Sequence, residues 1–92
     1  MLRITEKWQE NKAPSLVLEG RLVGPWVELL RVSCEQLAAR VPQFTLDLAE
    51  VNFADAAGLT LLHQFQLQQI TLGNCPAFLQ EQLKQMADSR SA

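Results

Sequence analysis

The chain has 92 residues, 48% of them hydrophobic, with eight Lys and Arg against ten Asp and Glu. That length makes one domain, burying roughly 60–65% of the surface its unfolded form exposes, and such a core needs no metal or disulfide staple. The scattered basic residues, the net charge of −2, the charged opening MLRITEKWQE and the lack of an apolar run of ~18–20 residues predict a cytoplasmic protein without nucleic-acid partner or membrane insertion.

Leu2, Ile4 and Trp8 alternate with Arg3, Thr5 and Lys7, which predicts a half-buried strand over 2–8. The polar connection 9–14 contains Pro14 and turns the chain into a second, antiparallel strand, Ser15–Leu22, with Leu16, Leu18, Gly20 and Leu22 on one face. From Trp26 the period changes. Trp26, Val27, Leu30, Cys34, Leu37, Ala38 and Val41 recur at helical spacing opposite Glu28, Arg31, Glu35 and Arg40, with Pro25 in the first turn and Pro42 closing the element. Phe44, Leu46 and Leu48 predict a central strand over 43–48.

Asp55 is a candidate N-cap for a helix over 56–67 with Gly58, Leu61, Leu62 and Phe65 inward. Ile70, Thr71 and Leu72 predict a short strand ended by Gly73 and Asn74. Pro76 opens a last helix with Phe78, Leu79, Leu83 and Met86 inward and Glu81, Lys84 and Asp88 outward. Residues 1–87 form the domain and 88–92 a frayed tail. The fold class is α/β: an open sheet of about four strands, the first two a hairpin and the others parallel, packed with about three helices.

The segment Thr45–Leu62, TLDLAEVNFADAAGLTLL, resembles the signature of the STAS domain, the module of anti-sigma factor antagonists and of the cytosolic tails of sulphate transporters. Asp47 and Leu48 match its strand end, and Phe53, Asp55, Gly58 and Leu59 its Asp-X-X-Gly-Leu turn. LEGRL (18–22) is similar to the glycine-marked second strand, and Asn74, Cys75 and Pro76 to the loop before the final helix. The resemblance covers about 15–86 and stops short of the family's usual final strand and helix. It departs at one position, Ala56, where phosphorylatable members carry Ser or Thr. An alanine methyl has no oxygen to accept a phosphoryl group, so this chain resembles an antagonist that cannot be switched there.

The resemblance implies a non-catalytic interaction module for signal transduction in bacteria, which binds a regulatory partner through the loop 52–55 and helix 56–67. Asn52, Asp55, Ala56, Gly58, Thr60 and His63 are the expected contacts. The partner it implies is an anti-sigma kinase-like protein; the alternative is an ABC ATPase subunit, with this chain as the STAS subunit of a phospholipid-type transporter. Self-association stays open. Each of these residues also has a plainer role: Asp55 as cap, Gly58 for close packing, Asp47 as strand end, Asn52 as turn and His63 as a solvated side chain. Val32 and Leu67, on the outer sides of their helices, hint at a contact surface.

Nothing in the chain marks catalysis or a cofactor. Gly20, Gly24, Gly58 and Gly73 are isolated rather than a phosphate loop, no serine sits on a glycine-flanked elbow, and His63 has no metal-ligand spacing around it. Cys34 and Cys75 are far apart and outside any CxxC pattern, so both are expected as free thiols.

Overall fold

The computed structural model describes residues 2–68 and 70–90, with the backbone alone for 87–90. The elements are β1 (Leu2–Lys7), β2 (Ser15–Leu22), α1 (Pro25–Ala38), β3 (Thr45–Ala54), α2 (Ala56–Leu67), β4 (Thr71–Gly73) and α3 (Ala77–Arg90). They form one sheet of order β1-β2-β3-β4, antiparallel between β1 and β2 and parallel thereafter. This is the predicted α/β layout. The α3 backbone runs to Arg90, into the segment expected as tail; residues 91 and 92, and the Asp88 side chain expected outward, lie outside the described parts.

The helices cover one face of the sheet. Leu16, Leu18 and Leu22 of β2 and Leu46, Leu48, Val51 and Ala54 of β3 join Leu30, Cys34 and Leu37 of α1, Leu61, Leu62 and Phe65 of α2, and Leu79 and Leu83 of α3 in a single buried cluster. Each fully enclosed leucine there contributes about 1.5–3 kcal/mol relative to exposure. On the other face Arg3, Thr5, Lys7, Val17, Thr45 and Asp47 are exposed or half-buried.

β3 is the chief departure from expectation. It continues six residues past Leu48, because two irregularities in its pairing with β2 each insert a residue on β3: Val17 pairs with Asp47 but Glu19 with Glu50, and Gly20 with Val51 but Arg21 with Phe53. Each extra residue turns a spacing of two into three, so the buried positions run 46, 48, 51, 54. Asp47 therefore lies within the strand. Its Oδ1 accepts from the Ala49 N–H at 3.1 Å, beside the first irregularity. Asn52 is a strand residue, not a turn.

Smaller corrections concern surface positions. Trp8 lies beyond the end of β1 and is 52% exposed; its indole N–H donates to Glu6 Oε1, and the Arg40 guanidinium stands 5.2 Å from its ring. Ala38, in the last turn of α1, and Phe78, in the first turn of α3, are exposed where helical spacing predicts burial. Val32 is half-buried, while Leu67 is exposed.

Candidate functional site

The junction of β2, β3 and α2 is built around Asp55. Its backbone is extended, as an N-cap requires, and its carboxylate accepts from two N–H groups: Gly58 to Oδ1 at 2.8 Å and Gly24 to Oδ2 at 3.0 Å. Its own N–H donates to the Leu22 carbonyl at 3.1 Å. One residue thus fastens the end of β2, the entry to α1 and the first turn of α2. These donors, Gly24 first and Gly58 second, hold the Asp55 carboxyl below its ordinary range. Gly24 has φ +54°, a left-handed conformation that suits glycine.

Gly58 is required by space. A Cβ there would stand 2.7 Å from the Leu22 carbonyl oxygen, the oxygen that accepts from Asp55. The glycine therefore serves close backbone packing rather than a partner, and it is buried.

His63 overturns its expected solvation. It is 9% exposed, and its Nδ1 is enclosed without a hydrogen-bond partner among the described residues. The remaining expected contacts do reach solvent. Asn52, Ala56 and Thr60 are exposed and Asp55 is partly so; the Thr60 hydroxyl donates back to the Ala56 carbonyl at 2.9 Å. Of the six expected site residues, then, Asn52, Asp55, Ala56 and Thr60 sit on the surface, while Gly58 and His63 lie beneath it.

Two features of this surface go beyond the six expected contacts. Phe53 is 45% exposed at the end of β3, and the Arg21 guanidinium from the neighbouring strand stands 5.1 Å from its ring. The outward stripe of α2, Ala56, Ala57, Thr60, Gln64 and Leu67, contains no charged side chain, and Leu67 is 67% exposed. The second was available in the sequence: α2 reads AAGLTLLHQFQL, without Asp, Glu, Lys or Arg. Among the described residues no cluster of three or more metal-binding side chains forms, and no helix is long and apolar enough to cross a membrane.

Neither a scan against protein-family models nor a search of the curated proteins returns a match. Among solved structures, an uncharacterized protein of the DUF3478 family with a SpoIIAA-like fold, from Shewanella loihica PV-4, is similar at a TM-score of 0.58 and 15% identity, over 95% of this chain and 76% of that one. Identity at that level speaks to fold alone, and it joins the element order and strand order already described: the chain has the SpoIIAA-like fold of the STAS domains.

Proposed function

We propose that the chain is a non-catalytic protein-interaction module of the antagonist type, which docks a regulatory protein partner on the outward stripe of α2 and the adjoining end of β3. The observation that carries this reading is the uncharged, solvent-facing stripe Ala56, Ala57, Thr60, Gln64 and Leu67. The centres of protein interfaces are depleted of charge, and small side chains let a partner backbone approach closely. Asp55 supports the surface from below, since its two oxygens already hold Gly58 and Gly24. Ala56 stands at the first helical position and offers no hydroxyl, so a kinase acting at that position could not dismiss the partner.

The test is co-purification of a partner followed by titration calorimetry with wild type and Ala56→Glu. A carboxylate at a helix N-terminus favours the fold by about 0.3–1 kcal/mol, whereas burying it unpaired in an interface costs several. Affinity should fall while the unfolding midpoint holds. Equal affinity for the two proteins would move the interface off residue 56 and end this reading.

A further inference from the structure

The seam between α2, β4 and α3 holds a cavity of about 520 Å³, lined by Gln66, Leu72, Asn74, Cys75, Gln80, Leu83 and Lys84. That volume falls within the ~300–1,000 Å³ range of small-molecule sites, which combine an apolar floor with a few convergent polar groups. Leu72 and Leu83 supply apolar lining here, three side-chain amides join them, and Lys84 is the charged group among the described lining residues. The cavity opens beside the carboxyl end of β4, the edge strand, where Asn74 and Cys75 leave the sheet.

Its wall is held in shape. The Gln80 side-chain N–H donates to the Cys75 carbonyl at 2.8 Å, and the Gln80 backbone N–H donates to the Pro76 carbonyl at 3.0 Å. Asn74 adopts the left-handed conformation, φ 52°, that turns the chain into α3. A site with one ammonium, several amides and a branched apolar floor complements a ligand with one acid group, one amide and one branched alkyl group.

We infer that this cavity binds a small carboxylate bearing an amide and a branched apolar group, with the acid on Lys84, the amide on Gln66, Asn74 or Gln80, and the alkyl group on Leu72 and Leu83. The site includes Gln66 of α2 but none of the five stripe residues, and its test does not involve the protein partner.

Cys75 gives the readout. It lines the cavity and is half-buried, while Cys34 is enclosed in the core and serves as an internal reference. The probes are N-acetyl-leucine and N-acetyl-leucinamide, which differ in the carboxylate alone, followed by the rate of Cys75 alkylation and by amide chemical shifts on the whole chain. The carboxylate at tens of millimolar should slow alkylation of Cys75 and shift the amides of 72–75 and 80–84. The amide probe should bind about fivefold more weakly, the size of one partly exposed ion pair.

Lys84→Met keeps the aliphatic stem on an exposed position and should equalise the two probes, with unchanged unfolding of the free protein. Equal affinity of the probes for wild type, a preference that survives in Lys84→Met, or the absence of shifts and of protection with both probes would each overturn the assignment.

Discussion

α1 and α2 lie side by side on the same sheet and bury similar leucine stripes, yet their outer faces differ in kind. On α1, Arg31 bonds both Glu28 and Glu35, an i,i+3 and i,i+4 ladder of exposed ions. α2 carries no charge along its length and leaves Leu67 in solvent. A ladder of this sort keeps a helix face hydrated, whereas a bare face exposes apolar surface with nothing to cover it. On the reading proposed above it is the uncharged stripe of α2, and not exposure alone, that sets the docking face apart, since α1 also leaves Leu29 44% exposed beside its ion ladder. The two helices also start differently. α1 begins at Gly24 with no side-chain cap, relying on Pro25, and α2 begins on a carboxylate with two backbone donors.

The largest effects should come from the stripes the two helices share. Leu30→Ala in α1 and Leu62→Ala in α2 each remove a fully enclosed side chain and should each lower stability by about 2–5 kcal/mol in urea unfolding. A loss under about 1 kcal/mol at either would show that helix to be only loosely seated.

Gly58→Ala comes next and separates the two helix starts. Alanine favours a helix by up to about 1 kcal/mol, but its methyl meets a backbone carbonyl that cannot retreat without breaking the Asp55 bond, so a net loss of about 1–2 kcal/mol is expected. A stabilised variant would mean that the junction is not as tight as the 2.7 Å approach implies.

Asp55→Ala should lower the urea midpoint by less than Gly58→Ala does, and its effect carries a pH signature. Because the Gly24 and Gly58 N–H groups hold the folded carboxyl below its ordinary value, the clamp contributes fully above the unfolded pKa and is lost as pH falls through the folded one. The gap between wild type and Asp55→Ala should therefore close in acid. A gap unchanged through the carboxylate range would assign the effect to packing rather than to charge.

The smallest effect is expected at Arg31→Ala. Exposed ion pairs contribute little, so the unfolding midpoint should barely move and binding of a partner to α2 should be untouched. A loss of binding there would place the interface on α1 and reverse the comparison.

The order of elements, the hairpin, the parallel pairing and the bounds of β2 and α2 were legible in the sequence, because period-2 and helical spacings switch cleanly at Gly24 and Asp55. Asp55 and Gly58 were legible as a pair, but that they act on Leu22 and Gly24 depends on contacts over thirty residues away in sequence, which spacing does not report. The far half of β3 was hidden because its two inserted residues replace alternation by threes. His63 was misplaced for a related reason. Its own helix puts it on a flank, and burial of a flank is decided by neighbouring elements, here α1 and α3, which both pack against α2.

The Asp55 clamp also ties local structure to distant structure. Its two acceptor bonds join residues three and thirty-one positions away, so the cap of α2 is completed only when Gly24 has been delivered by β2. A contact spanning that loop forms late unless the intervening chain is already compact. Without the pairing of β2 and β3, α2 would keep only the Gly58 half of this cap. In the folded chain the clamp thus couples the bare face of α2 to the paired central strands through one carboxylate.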